Sequence, residues 1–199
     1  GNLLFIAANF NGIQVWDITD TNNMIWVRNI PLSAQVWDVS ISGGYLYAAN
    51  YSTVSFVDID PIDQASLVGS LDLPPAAFGI ASNGTIVYAV GATYPDGALN
   101  TIDAADPTAP TEISSLPFTG FPIAVKYMDG YVYVGADDKL HIIDVDPPES
   151  AFIVNTVAMP GYIFNLTADT GYAYVSQAVG FSIVDIEPPA SASVVTTLS

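Results

Sequence analysis

The stretch YVYVGADDKLHIIDV, residues 131–145, decides the fold. It ends with an aspartate between apolar neighbours, and the same apolar-Asp-apolar pattern recurs through the chain. The five aspartates are Asp17, Asp58, Asp103, Asp144 and Asp185. The intervals between them are 41, 45, 41 and 41 residues. Self-similarity at a period of this length indicates a protein built from repeats of one small structural unit.

A second marker, an aromatic residue upstream of each aspartate, repeats independently. These residues are Phe5, Tyr47, Tyr88, Tyr133 and Tyr174, at intervals of 42, 41, 45 and 41 residues. Both markers share one long interval of 45 residues against the usual 41, which places an insertion in the third repeat. The extra residues fall around the turn-rich stretch 93–97, so the sequence predicts an enlarged loop there.

The fourth repeat shows the strand pattern of one unit. Residues 123–127 and 131–134 have period-two apolar patterns around an Asp129-Gly130 pair, which is typical of a β-hairpin. A third strand over 139–145 and a fourth over 151–157 follow. Four short antiparallel strands in about 40 residues form one propeller blade, with strands A to D running outward from the channel. No segment has a helical period, so the protein is predicted to be all-β.

The five copies predict a single domain of five blades. The predicted blades span residues 1–32, 33–74, 75–119, 120–161 and 162–199. The first copy begins at Leu3 in strand B, so the first blade lacks its inner strand A. Two alternatives follow: a five-bladed ring that closes on itself, or one part of a larger propeller. An unpaired strand edge invites another chain, so we expect a protein partner or self-association at this incomplete blade.

The composition excludes several classes of function. The chain has 20 acidic residues against 3 basic ones, for a net charge of −17, which repels nucleic acids and anionic lipid headgroups. No apolar run approaches the length of a membrane span, so no membrane insertion is expected. There is no cysteine and only one histidine, His141. The scarcity of Lys and Arg favours an extracellular or cell-surface location.

The recurring aspartates are predicted to serve turns. Each lies at the end of strand C, before a corner rich in Pro or Asn, where a carboxylate can accept a backbone N–H bond. The alternative is calcium, because pairs such as Asp58 and Asp60 place oxygen ligands two residues apart. Calcium needs six to eight oxygens and no EF-hand type of loop is present, so we expect neither a metal site nor a cofactor. Twelve of the 20 acids lie at these corners, which predicts one strongly negative face.

The opposite face carries the B–C loops and is the predicted ligand site. Three of its five loops combine an aromatic ring with an amide or carboxylate, which is the chemistry that a sugar requires. The candidate binding residues are Asn9, Phe10, Asn11, Asn50, Tyr51, Tyr94, Asp96, Asp137 and Gln177. The inner strands offer Asp38 without a second carboxylate, so they hold no glycosidase pair and the protein is predicted not to be an enzyme.

Aromatic residues also mark the start of strand A. Trp37 aligns with Phe78, Ile123 and Phe164 in the later copies, and Trp16 stands where the other blades have Val or Ile before the aspartate. Both tryptophans are predicted to lie in the core between blades. Trp26 lies on the outer strand of the first blade. It is predicted to be exposed, where it would form part of a contact surface beside the incomplete blade.

The repeated cores resemble a known family. The motifs FVDI at 56–59, IIDV at 142–145 and IVDI at 183–186, each preceded by a strand such as YVYV at 131–134, are similar to the LVIVD-repeat β-propellers of bacterial and archaeal surface proteins. The resemblance implies a secreted or surface-attached protein without enzymatic activity. We therefore predict a non-catalytic scaffold or protein-interaction module, including a subunit of a surface assembly or filament. The alternative is a lectin-like propeller that binds carbohydrate through the B–C loops.

Overall fold

The computed structural model describes residues 2–198, with the side chains of Pro74 and Pro75 left out, and consists mostly of β-strand. The strands are β1 (Leu3–Ala7), β2 (Ile13–Asp17), β3 (Ile25–Ile30), β4 (Asp38–Ser42), β5 (Tyr45–Asp58), β6 (Ser66–Asn83), β7 (Ile86–Thr93), β8 (Asp96–Asp103), β9 (Thr111–Thr119), β10 (Pro122–Met128), β11 (Tyr131–Ala136), β12 (Lys139–Asp144), β13 (Phe152–Ala158), β14 (Ile163–Asp169), β15 (Tyr172–Gln177), β16 (Gly180–Asp185) and β17 (Ser193–Leu198). Short 3-10 turns follow three corners, at Ile62–Gln64, Pro148–Ser150 and Pro189–Ser191. No helix in the described residues could cross a membrane.

The strands form the antiparallel blades that the repeats predict. Blades 4 and 5 are four-stranded sheets, β10 to β13 and β14 to β17, and blade 1 is the three-stranded sheet β1-β2-β3. In blade 2, β5 contains both strand B and strand C. Strand β6 continues from strand D of blade 2 into strand A of blade 3, so the predicted boundary at residues 74 and 75 lies within one strand. The prediction of four-stranded blades with an incomplete first blade is confirmed.

The five blades form an open arc rather than a closed ring. The inner strands contact one another in the order β4, β6, β10 and β14, and β1 contacts β4. Among residues 2–198, no strand of blade 5 has a comparable contact with blade 1. Within residues 2–198, the outward side of each end blade therefore has no neighbouring blade.

The hydrophobic core lies between consecutive blades. The repeated aromatic residue of strand B fills each interface, and Tyr47, Tyr88 and Tyr133 are at most 2% exposed. Tyr133 packs between Ile142 of its own blade and Val175 of the next. Apolar side chains therefore cover both faces of the sheets in blades 2, 3 and 4, as the packing of one sheet on another requires.

The insertion in the third repeat differs from its prediction. It does not form an enlarged loop, because the ladder between β7 and β8 continues through Thr93 and Asp96. Gly97 allows this extension: a side chain there would meet the ring of Phe118 and the carbonyl of Gly120. The longer hairpin raises Tyr94 above the neighbouring turns, where its side chain is 78% exposed.

Candidate functional site

The lower face of the arc carries the A–B turns and the C–D corners. Each of its five recurring aspartates makes the same kind of hydrogen bond. In each case one carboxylate oxygen accepts the backbone N–H two residues later. The pairs are Asp17 with Thr19 (2.8 Å), Asp58 with Asp60 (3.0 Å), Asp103 with Ala105 (2.8 Å), Asp144 with Asp146 (3.0 Å) and Asp185 with Glu187 (3.0 Å). The Thr19 hydroxyl and backbone N–H also hold the pKa of Asp17 below its usual value. These bonds close Asx turns, so the carboxylates brace the corners.

The lower face does not bring metal ligands together in the described residues. No group of three or more His, Asp or Glu side chains in residues 2–198 is placed to hold an ion. Calcium requires six to eight oxygens, and one oxygen of Asp58 and of Asp144 already accepts a backbone N–H. The paired acids at the corners therefore form a negative surface without a coordination shell.

The upper face carries the B–C turns and the D–A connections, and one backbone position recurs there. Asn9, Tyr51 and Asp137 occupy equivalent positions directly after strand B, with φ of 57°, 54° and 50°. This left-handed conformation favours Gly, Asn and Asp and is costly for a bulky residue. Tyr51 adopts it with its ring 55% exposed, so the turn directs an aromatic side chain into solvent.

The predicted ligand residues divide into exposed and buried groups. Phe10, Tyr51 and Tyr94 have exposed rings, with 79%, 55% and 78% of their surface accessible. Asn9, Asn11 and Asp96 are also exposed, and Asp137 is partly buried. Of the predicted set, Tyr94 and Asp137 line one cavity on this face, whereas Phe10 and Tyr51 are not among the residues that line it.

Two predicted ligand residues are corrected by the structure. Asn50 and Gln177 are 1% and 5% exposed. The Asn50 amide donates to the hydroxyl of Ser55 at 2.7 Å, and the Gln177 amide donates to Ser182. Each side chain follows the pleat of strand B into an inter-blade interface, where a buried amide needs an internal partner.

The prediction that Trp37 lies in the core is wrong, and the aligned Phe164 also lies outside it. Trp37 is 46% exposed and Phe164 is 56% exposed. The register of strand A shifts at Phe78 and at Phe164, and such a bulge turns a side chain out of the alternation of the strand. The same alignment position therefore points to the upper face.

Four aromatic residues of the upper face lie in contact, and we call them the aromatic platform: Trp37, Tyr51, Phe78 and Phe121. The rings of Trp37 and Tyr51 pack edge-on against Phe78, with centroids 5.4 and 6.2 Å away. Phe121 lies 4.7 Å from Phe78 on the other side. These contacts join the four rings into one apolar surface across blades 2, 3 and 4.

A cavity of about 670 Å³ lies next to this platform on the upper face. Its walls are Tyr94, Phe121, Asp137, Asp138 and Tyr162. We call it the acidic aromatic cavity. The extended hairpin of blade 3 supplies Tyr94, and the turn of blade 4 supplies the two carboxylates. The D–A connections that enter blades 4 and 5 supply Phe121 and Tyr162.

Backbone hydrogen bonds join the four segments that form the acidic aromatic cavity. The N–H of Gly120 donates to the carbonyl of Pro95 at 3.0 Å, and the N–H of Asp137 donates to Phe121 at 3.2 Å. The N–H of Ile163 donates to the carbonyl of Asp137 at 2.7 Å. The walls are therefore held by main-chain contacts, so their relative positions are set before a ligand arrives.

The charged groups of the acidic aromatic cavity lie beside its rings. Burial raises the pKa of the Tyr162 hydroxyl, and the negative charge of the nearby Asp137 carboxylate raises it further. Asp138 forms an exposed ion pair with Lys139 at 3.6 Å. Tyr162 thus stays a protonated donor at neutral pH, and Asp137 is the carboxylate without a charged partner among the described residues.

Sequence reasoning missed Phe121 and Tyr162. Each follows a glycine, as Gly120-Phe121 and Gly161-Tyr162, in two successive D–A connections. This repeated Gly-aromatic pair could have identified them. The other connections have no aromatic residue at this position, so the pair marks only the part of the upper face that forms the acidic aromatic cavity.

The channel side of the inner strands has a smaller cavity of about 240 Å³, which contains Asp38 and Lys126. The Asp38 carboxylate accepts the N–H groups of Val39 at 2.8 Å and Ile80 at 2.9 Å. Burial raises its pKa against these hydrogen bonds. Among the described residues lining this cavity, Asp38 is the only carboxylate, and its bonds join the inner strands of blades 2 and 3.

Comparison with known families identifies the repeat. The model of the LVIVD repeat matches residues 33–70, 123–157 and 160–198, which together make up more than half of the chain. The chain therefore belongs to the LVIVD-repeat family, as the resemblance of its motifs implied. A search of curated protein sequences found no match.

Solved structures share the propeller fold at low sequence identity. A functionally unknown protein from Desulfotomaculum acetoxidans aligns with the whole chain at 13% identity and a TM-score of 0.84, over 66% of its own length. The Cps50 (Swd1) β-propeller domain of Myceliophteria thermophila aligns at 15% identity and a TM-score of 0.73, over 68% of its length. The designed protein Ika8 matches 94% of the chain at 14% identity and 0.72, over 57% of its length. The chain thus spans about two thirds or less of these proteins.

Proposed function

We propose that the protein is a non-catalytic scaffold and interaction module of an extracellular or cell-surface assembly. One observation carries this proposal: both end blades expose apolar side chains at positions that are buried in every other blade. Apolar surface of this kind is typical of an interface. The family resemblance to surface proteins and the charge of −17 support the location.

The first end face is formed by Leu4, Ile6, Trp16 and Trp26 of blade 1. Leu4 and Ile6 are 38% and 39% exposed. The residues at the position of Leu4 in blades 2 to 5 are Leu46, Val87, Val132 and Ala173, and all are fully buried. Trp26 pairs with Trp16 across the sheet and is 55% exposed, which extends this apolar surface outward.

The last end face is formed by Tyr174, Phe181, Ile183 and Leu198 of blade 5. The rings of Tyr174 and Phe181 stack with centroids 6.3 Å apart, and Phe181 is 36% exposed. The residues at its position in blades 1 to 4 are Ile13, Val54, Leu99 and Leu140, and all are fully buried. Leu198 beside it is 60% exposed.

Blades of the same type are the partners that fit both end faces. Each face has the residue pattern with which the inner blades bind their neighbours. The chain aligns in full with 66% and 68% of two longer propellers, so its arc leaves room for about two or three further blades. A second copy of the arc brings five blades, so it cannot complete the ring and can pair with this chain only through one end face at a time.

The inner edge of β1 offers a second contact to the same partner. Strand β1 pairs with β2 on one side. On its channel side, the described residues provide a single bridge, between Asn9 and Val36. A strand from the adjoining blade can add to this edge by main-chain hydrogen bonds, which would supply the inner strand that blade 1 lacks.

Adding blades to the chain tests the proposal. Two copies of residues 120–161 are fused after residue 198, and thermal unfolding and binding of a hydrophobic dye are measured. We expect a Tm higher by several degrees and less dye binding, because the last end face becomes covered. The matched control carries Val132→Asp and Val134→Asp in both added copies, because these side chains pack against the preceding blade. An unchanged Tm in the fusion, equal to that of its control, would contradict the proposal.

Assembly is tested separately on the unmodified chain. Phe181→Asp and Leu4→Asp each place a charge on one end face, and Phe152→Asp places one on an exposed site of blade 4, 54% accessible. We expect the end-face changes to abolish concentration-dependent association in light scattering, whereas Phe152→Asp leaves it unchanged. Equal behaviour of all three variants would contradict an interface at the end faces.

Carbohydrate binding is the second candidate function, and the aromatic platform favours it. Exposed, rigid rings such as Trp37 and Tyr51 can stack on the apolar face of a sugar. A glycan array with the protein and its Trp37→Ala, Tyr51→Ala and Phe152→Ala variants tests this function. We expect Trp37→Ala and Tyr51→Ala to remove the signal, with Phe152→Ala as the exposed control. Retention of the signal in both platform variants excludes the platform as a sugar site.

A further inference from the structure

We propose that the acidic aromatic cavity binds an alkylammonium group, such as the quaternary ammonium of choline or of a trimethylated lysine side chain. This inference concerns the upper face of blades 3 to 5. It goes beyond the scaffold role and does not depend on it, because none of the residues that line the cavity belongs to either end face. The argument rests on the three rings, the carboxylates and the rigid frame of the cavity.

The rings supply a surface that attracts a cation. Tyr94, Phe121 and Tyr162 line the cavity from three segments of different blades. The face of an aromatic ring is electron-rich and attracts an ammonium group positioned over it, and several rings around one cation form an aromatic cage. Tyr94 is 78% exposed at the tip of its hairpin, which leaves its ring accessible to an arriving ligand.

The carboxylates select a positive charge over a neutral ligand. Asp137 and Asp138 lie in the wall of the cavity, beside the ring of Tyr162. Lys139 is the nearby resident cation and pairs with Asp138 at 3.6 Å. This leaves Asp137 as the counter-ion for a bound ammonium group. The net charge of −17 adds a field that attracts cations to the surface.

The frame of the cavity is pre-formed. Three backbone hydrogen bonds connect Pro95 to Gly120, Phe121 to Asp137, and Asp137 to Ile163. Pre-formed walls reduce the ordering cost of binding. The cavity of about 670 Å³ is larger than one trimethylammonium group and has room for the chain that carries it.

Titration with choline tests the proposal on the intact chain. Binding is followed by chemical shifts of the aromatic protons, beside the uncharged isostere dimethylbutanol and a neutral methyl glycoside. We expect choline to bind with a Kd in the millimolar range or below, and at least about tenfold more tightly than the isostere. The affinity should fall as salt is raised, because exposed charges are screened.

Four variants separate charge from shape. Asp137→Asn removes the carboxylate and keeps a residue that tolerates the left-handed backbone, and we expect choline affinity to fall about tenfold. Tyr94→Ala should also weaken binding. Lys139→Gln should strengthen binding about threefold, because the competing resident cation is lost. Phe152→Ala serves as the control, because Phe152 is exposed on blade 4 and does not line the cavity. We expect it to leave the choline affinity unchanged.

Any one of three outcomes would overturn the proposal. Equal affinity for choline and dimethylbutanol would show that the cavity recognises shape alone. Binding of the glycoside but not of choline would assign the cavity to carbohydrate. No chemical-shift change with choline at any concentration tested would remove the site. None of these results affects the fusion and association experiments on the end faces, so the two proposals fail separately.

Discussion

Blades 4 and 5 have nearly the same sequence pattern but different surroundings. Tyr133 of blade 4 is 2% exposed, whereas its equivalent Tyr174 is only partly buried. Leu140 is fully buried, whereas its equivalent Phe181 is 36% exposed. The comparison teaches that the repeat determines the sheet, and that the neighbouring blade determines how much stability each apolar position contributes.

The largest expected effect sharpens this contrast. Tyr133→Ala removes a ring from a closed inter-blade core, and we expect a loss of about 4 kcal/mol in the free energy of unfolding. Tyr174→Ala removes the equivalent ring from the last end face, with an expected loss of about 1 kcal/mol. Urea denaturation at equal m-values measures both. Equal losses would mean that the last end face is already covered in solution.

A smaller effect should be the same in both blades, because it is local. Asp144→Ala and Asp185→Ala each remove the Asx-turn hydrogen bond at a C–D corner. We expect each to lower the free energy of unfolding by about 1 kcal/mol. Asp144→Asn is the matched control, because an asparagine side chain also closes Asx turns. A clear difference between the two alanine variants would show that the corners depend on neighbouring blades.

The upper-face turns extend the comparison to blades 1 and 2. Tyr51 has the left-handed backbone that its equivalent Asn9 adopts readily. Tyr51→Asn and Tyr51→Ala both delete the ring, so their difference isolates the backbone. We expect the Asn variant to be more stable by about 0.5 to 1 kcal/mol. Equal thermal unfolding of the two variants would contradict the strained turn.

The smallest expected effect concerns the pH dependence of stability. Burial lowers the pKa of His141, and the charge of Lys139 lowers it further, against a backbone bond to Thr119. The unfolded chain therefore binds the proton more readily than the folded protein does. The contribution of His141 to stability is present above its unfolded pKa of 6.5. It is lost as the pH falls through the lower folded value.

The equivalent residue in blade 1 provides the matched variant. Gln14 occupies the position of His141 and does not titrate, so His141→Gln should flatten this part of the stability profile. Urea midpoints between pH 7.5 and about 5 measure the difference. A variant with the same slope as the unmodified protein would assign the pH dependence to other groups.

Much of the fold could be predicted because its determinants are local. The spacing of the aspartates and aromatic residues identified the blades, and Asp before Pro identified the corners. The extension of the hairpin at Thr93 could not be predicted, because turn residues such as Tyr94 and Pro95 are compatible with a loop or with a tight turn. The outcome depended on whether Gly97 could approach Phe118 closely.

The candidate site was less predictable than the fold. Asn50 and Gln177 have the composition of binding residues, but the pleat of strand B directs their side chains into the core. Trp37 and Phe164 have the composition of core residues, but they lie on the upper face. A displacement of one residue reverses the side of a strand, so a single bulge changes an alignment position from core to surface.

The amino-acid sequence by itself established an all-β repeat, five copies of that repeat with three strands in the first, the Asx corners and a large negative charge. These follow from residue type and spacing over short distances. Only the packing of the blades established that the arc is open and which aromatic rings converge with Asp137. The open arc and the convergence of the rings depend on contacts between residues far apart in the chain, and on small rotations between blades that add up along the arc. A local sequence pattern does not contain this information.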